Sequence, residues 1–118
     1  MAAKLTAQER MLRDQTESQF QSTVMRVADL ARWKSYHAPE NRPVLGRGGK
    51  TYIQNVRAGF PDLVLVRGER LVFAELKREK GVLTPGQPEW HAALAGVPGV
   101  EVYVWRPSDL QRIIRVLA

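Results

Sequence analysis

The order of elements readable in the chain predicts an α/β domain with a mixed β-sheet packed by helices. Two observations carry that expectation. The first is a hairpin pattern from Leu63 to Lys77, two apolar, β-branched runs on either side of Gly68-Glu69. The second is helical spacing on both sides of it. Phe20, Val24, Val27, Ala28 and Ala31 form one apolar stripe ahead of the hairpin, and Leu110, Ile113, Ile114 and Leu117 form another at the end of the chain. With Trp33 to His37 and Val100 to Trp105 read as further strands, the order is helix, strand, strand, strand, helix, strand, helix.

Taken in order, residues 1–15 are polar and form an N-terminal arm, with a short helix signalled by the capping box Thr6-Ala7-Gln8-Glu9. Residues 16–118 form one domain, a size that suits a single core. A second capping box, Thr16-Glu17-Ser18-Gln19, opens the first substantial helix. On its own, Glu17 reads as an acid favoured by the macrodipole at a helix N-terminus. Residues 39–58 are the loosest stretch, carrying Arg42, Arg47, Lys50 and Arg57 against the single acid Glu40, with a little strand at Tyr52 and Ile53. Loops this long are uncommon in compact domains unless they bind or cover something, so these four cations are candidate phosphate contacts. After the hairpin, Arg78-Glu79-Lys80-Gly81 is a charged turn, and Lys80 joins the candidate DNA-binding set. The next helix is expected from Thr84, with Pro85 at its first position, Gln87 closing a capping box, and Trp90 and Leu94 as core residues. His37, alone at a strand end, reads as structural.

The composition narrows the partners. A formal charge of +6 favours a polyanion, because Lys and Arg that neutralise phosphates release condensed counterions. No 18-residue apolar run and no basic amphipathic helix points to a membrane. Cysteine is absent, which removes thiolate chemistry and suits a cytoplasmic setting.

The hairpin holds the chemistry. Gly at the first central position suits a two-residue type II′ loop, so Arg67 should oppose Arg70 and Asp62 should oppose Glu75. Directly opposed Cβ atoms stand about 4.5–5.5 Å apart, and like charges there repel. Lys77 lies two residues on, on the same face. A divalent cation between the carboxylates would turn repulsion into attraction, since hard ions such as Mg²⁺ take carboxylate oxygen. The plainer alternative is a solvated strand end at which Lys77 neutralises one acid.

Pro61-Asp62 followed by Glu75-Leu76-Lys77 resembles the PD-(D/E)XK nuclease signature. The wider context is Gly59-Phe60-Pro61-Asp62-Leu63, then Leu83-Thr84-Pro85-Gly86-Gln87-Pro88-Glu89-Trp90 and Val102-Tyr103-Val104-Trp105-Arg106-Pro107. It is similar to the VRR-NUC (virus-type replication-repair nuclease) branch, and to its compact stand-alone phage or bacterial type, from about Thr16 to Leu110. The resemblance implies a restriction-endonuclease-like core. It also implies Asp62, Glu75, Lys77, Glu17 and Gln87 as catalytic residues. Asp62, Glu75, the Leu76 carbonyl and Glu17 would be ligands for Mg²⁺, with Mn²⁺ as a substitute. Lys77 would orient the attacking water, and Gln87 would bond that water or Lys77. The activity expected on this basis is hydrolysis of DNA phosphodiesters, in branched or four-way DNA cut by a homodimer, in the host cytoplasm if the chain is phage-encoded. A basic DNA-binding module that cleaves nothing, and a flap-directed or RNA-directed nuclease, are the alternatives.

Overall fold

The computed structural model describes residues 4–38, 43–45, 47–49, 51–53 and 59–118. The elements in order are α1 (Ala7–Arg13), α2 (Glu17–Leu30), β1 (Lys34–His37), β2 (Pro43–Leu45), β3 (Thr51–Ile53), β4 (Leu63–Arg67), β5 (Arg70–Leu76), α3 (Gln87–Ala95), β6 (Val100–Trp105) and α4 (Leu110–Leu117). Short 3₁₀ turns occupy Arg47–Gly49 and Pro107–Asp109. The main sheet has four strands in the order β1-β4-β5-β6, while β2 and β3 pair as a separate antiparallel hairpin. The pairs β1–β4 and β4–β5 are antiparallel, and β5 and β6 run parallel, with α3 as the crossover. The result is the mixed α/β architecture that the element order predicted.

Both capping boxes form as read. Thr6 and Glu9 exchange bonds at the start of α1, and Thr16 and Gln19 do the same at the start of α2. The hairpin register also follows the sequence, with Arg67 opposite Arg70 and Leu63 opposite Ala74. Gly68 has φ 58°, whereas Glu69 is not among the residues with positive φ, which is the demand of a II′ loop.

The paired arginines at the hairpin tip face each other without penalty because both side chains are occupied. Their guanidiniums lie over the Trp33 ring at 4.6 and 4.9 Å. Arg67 donates to the carbonyls of Ala31, Leu117 and Ala118, and Arg70 to the Val116 carbonyl and the Glu101 carboxylate. The Trp33 indole N–H donates to the Leu117 carbonyl. These donors satisfy orphan carbonyls at the end of α4 and tie it to the hairpin.

Alternation along β4 and β5 divides the sheet into two faces. Leu63, Leu65, Val72, Ala74 and Leu76 join Phe20, Val24 and Ala28 of α2, Ile113 and Leu117 of α4, Trp33 and Trp105 in one buried core. Each such large apolar side chain contributes on the order of 1.5–3 kcal/mol. The other face carries Phe73, which meets Phe60 edge-on at 5.9 Å. Phe60 in turn meets Trp90 of α3 at 5.1 Å. Trp90 and Leu94 are half-buried and lie outside the main core.

One boundary differs from the sequence expectation. Helix α3 begins at Gln87, not at Thr84, with Gly86 as a left-handed N-cap at φ 91° and Pro88 within the first turn. The cause is a close approach of two backbones. A Cβ added to Gly59, itself at φ 89°, would fall 2.2 Å from the Gly86 carbonyl carbon. Only a left-handed glycine turns the chain sharply enough there to bring Gln87 against the sheet. Half of the expected capping box survives, since the Gln87 side-chain oxygen accepts the Thr84 N–H at 2.7 Å.

Candidate active site

Register places Asp62 and Glu75 at the mouth of the hairpin, on the face that α3 covers. The Asp62 carbonyl accepts the Ala38 N–H at 2.8 Å, and its carboxylate Oδ2 accepts the Leu76 N–H at 2.8 Å. Main-chain bonds on both sides therefore fix this residue. Glu75 is 2% exposed, and Lys77 and Gln87 are 7% exposed. Three polar side chains are thus sequestered together, and only mutual satisfaction makes such burial tolerable.

Gln87 supplies much of that satisfaction. Its oxygen is committed to the Thr84 N–H, so its amide nitrogen faces Glu75 and donates to Oε1 at 2.6 Å. Lys77 Nζ stands 3.7 Å from the same Oε1. The second oxygen, Oε2, is buried without a partner. Burial pushes the Glu75 carboxyl up to about 8, helped by the charge of Asp62 and a hydrogen-bonding approach to it. Lys77 pulls the other way, and Glu17 adds a small push.

Asp62, Glu75, Lys77 and Gln87 are brought together as the sequence suggested. Glu17, exposed at the first position of α2, is near enough for its charge to reach Glu75. Among the described residues, however, no three His, Asp or Glu side chains gather closely enough to hold a metal ion by themselves. A cation at the Asp62–Glu75 pair would complete its shell from backbone and solvent oxygen. That suits Mg²⁺, which keeps several waters and needs one or two carboxylates. The orphaned Oε2 and the all-oxygen donor set fit such an ion.

Of the candidate phosphate contacts, Lys80 is exposed on the turn after β5. Arg47 opens the 3₁₀ turn Arg47–Gly49. Arg42, Lys50 and Arg57 lie outside the described residues.

His91 is the site residue that sequence reasoning missed. It sits one turn beyond Gln87 on α3, close enough to Asp62 to feel its charge, with Nε2 buried and unpartnered. Burial holds its imidazole below the ordinary value, partly offset by Asp62. The i, i+4 spacing from Gln87 was the available signal, since residues so spaced share a helix face.

Comparison with known proteins bears on this arrangement. The VRR-NUC domain model matches residues 7–109. A solved structure described as a VRR-NUC domain protein is similar with a TM-score of 0.55 and 25% identity, over 86% of this chain and 89% of its own. No curated protein matches the chain. Among the described residues no helix is long and apolar enough to cross a membrane. The matched span runs from α1 past β6 and takes in Glu17, Asp62, Glu75, Lys77, Gln87 and His91, so the fold and the buried polar cluster fall under one description: the chain belongs to the VRR-NUC domain family, a nuclease-type family.

Proposed function

We propose that this chain is a metal-dependent, structure-selective DNA endonuclease that hydrolyses phosphodiester bonds in branched, four-way DNA as a two-fold dimer. The observation that carries the reading is a buried carboxylate, Glu75, set beside the half-buried Asp62. Glu75, pushed up to about 8 beside Asp62 with one oxygen unpartnered, is an arrangement that a binding module has no use for.

Asp62 and Glu75 would hold Mg²⁺ or Mn²⁺, with the Leu76 carbonyl and Glu17 as further donors. The ion, when bound, lowers the pKa of a water and neutralises charge on the phosphoryl oxygens. Lys77 sets a fixed positive charge beside Glu75, where it orients the attacking water and offsets negative charge that grows in the transition state. Gln87 holds Glu75 Oε1 in place through an amide that Thr84 has already oriented. Asp62 accepts the Leu76 N–H through Oδ2, and its Oδ1 would serve the ion. Arg42, Arg47, Lys50, Arg57 and Lys80 belong to the same proposal as phosphate contacts. One site cuts one strand, and a symmetric pair of sites is the simplest source of the paired nicks that a four-way junction requires.

The test is incubation of purified protein with linear, flap and four-way DNA, with Mg²⁺ and with chelator, beside the Asp62→Asn variant. Cleavage of the junction that needs Mg²⁺ and vanishes in the variant is expected, together with a dimeric mass in solution. Cleavage surviving chelation or the variant would remove the metal-site reading. A monomer cutting linear duplex as readily as junctions would remove the junction reading alone.

A further inference from the structure

Near Lys77 lies a second feature, of which the reading above uses only Lys80. A cleft of about 590 Å³ opens between the N-terminal arm and the turn after β5, lined by Leu5, Arg13, Asp14, Arg78, Glu79, Lys80 and Gly81. The turn is held rigidly from behind. Arg106 Nη1 donates to the carbonyls of Arg78, Glu79 and Gly81, and the Glu79 carboxylate accepts the Ser108 N–H at 2.9 Å. The opposite wall is set by α1, which packs against the Pro107–Asp109 turn. Arg13, Arg78 and Lys80 are exposed, and among the described residues none of them is ion-paired. Three cations and two acids line the cleft, and the Glu79 carboxylate is turned to the Ser108 N–H. The cleft wall adjoins the site, since a Cβ placed on Gly81 would lie 3.6 Å from Lys77 Cδ.

We propose that this cleft is a phosphate-binding track for the nucleic-acid strand that enters the site, with Arg13, Arg78 and Lys80 gripping backbone phosphates beside the scissile one. The inference rests on the nuclease reading and adds where the substrate lies. Three unpaired cations on a braced scaffold suit a chain of repeated phosphates, because guanidinium and ammonium groups that neutralise phosphates release condensed counterions. Adjacency to Lys77 makes the same strand the natural occupant. The N-terminal arm thereby acquires a role in substrate grip, through Arg13 at the last turn of α1.

The test is fluorescence anisotropy of a labelled DNA duplex with the full chain in chelator, across a range of salt concentrations. Each true phosphate contact contributes about 0.9 to the slope of log K against log salt, so the triple variant R13A/R78A/K80A should lose about 2–3 from the wild-type slope. The charge-conserving variant R13K/R78K/K80R should restore it. An alanine variant with the wild-type slope, or a charge-conserving variant that fails to restore it, would overturn the track and leave the nuclease reading standing. A wild-type chain showing no salt-dependent DNA binding would overturn both. All three side chains are exposed, so thermal melts of the variants should match the wild type.

Discussion

Replacing Glu75 by Gln should stabilise the metal-free protein, and the gain should grow with pH. The carboxyl is held at about 8 in the folded chain against an ordinary 4.5. Below about pH 4.5 both the folded and unfolded states carry the proton, and Glu75 costs nothing. Between about 4.5 and 8 the folded state binds more protons than the unfolded one, so stability falls as pH rises. At pH 7 the full linkage is about 3 kcal/mol, and solvent reaching a site open to substrate reduces it to about 1–2 kcal/mol. Gln87 can still donate to the remaining oxygen of the variant, so the isosteric change leaves no new unsatisfied donor. For a domain of this size the shift corresponds to a melting-temperature rise of about 3–10 °C at pH 8, and little at pH 5. Circular-dichroism melts in chelator at pH 5, 7 and 8 read it directly. Addition of Mg²⁺ should raise the wild-type melting temperature more than that of the variant, because only the wild type retains both carboxylates. A variant whose advantage is constant from pH 5 to 8, or a wild type that gains on it as pH rises, would refute the account of the pair.

Three other outcomes follow from the geometry. Lys77→Ala should slow turnover by about 10²–10³-fold while leaving duplex affinity within about twofold, because a buried ammonium beside Glu75 acts on developing charge rather than on ground-state grip; single-turnover kinetics and anisotropy separate the two, and weak binding with near-normal turnover would reassign the residue. Gly59→Ala should destabilise by at least about 2 kcal/mol in urea unfolding, since the new methyl meets the Gly86 backbone and the residue sits at positive φ. His91→Leu should gain on the wild type as pH falls from 7 to 5. The folded imidazole resists the proton that the unfolded chain accepts, so wild-type stability drops over that interval and the variant's does not. Parallel melting curves of the two proteins across that interval would contradict the burial of His91.

Much of this molecule was legible before any coordinates. Gly68-Glu69 set the register from which Asp62 facing Glu75 follows, because a two-residue loop leaves one way to pair the strands. The two capping boxes marked helix starts within a residue, since their reciprocal bonds are local. Local rules failed at α3, where Thr84-Pro85-Gly86-Gln87 looks like a box opening at Thr84. A contact with Gly59, distant in sequence, moved the start to Gln87 instead. His91 escaped for a related reason. Its value comes from lying near Asp62 on the covered face of the sheet, and the spacing from Gln87 gains meaning only once α3 is known to lie on that face. The fates of Arg67 and Arg70 were equally hidden. As charges in a basic chain they resemble nucleic-acid contacts, yet both are spent on the Trp33 ring and the carbonyls ending α4.

The meeting of Gly59 and Gly86 has a consequence for how this chain can vary. With no side chain between them, the segment leading to Asp62 and the segment leading to Gln87 are riveted backbone to backbone. The spacing between acid and amide is therefore set as a unit. Neither segment can be exchanged for that of a relative unless its partner glycine comes with it, and substitutions at the two positions should be strongly non-additive. Any widening needed to admit a substrate strand must then come from walls other than this one, and with the turn at Arg78 to Gly81 braced by Arg106 the N-terminal arm is the part left to adapt.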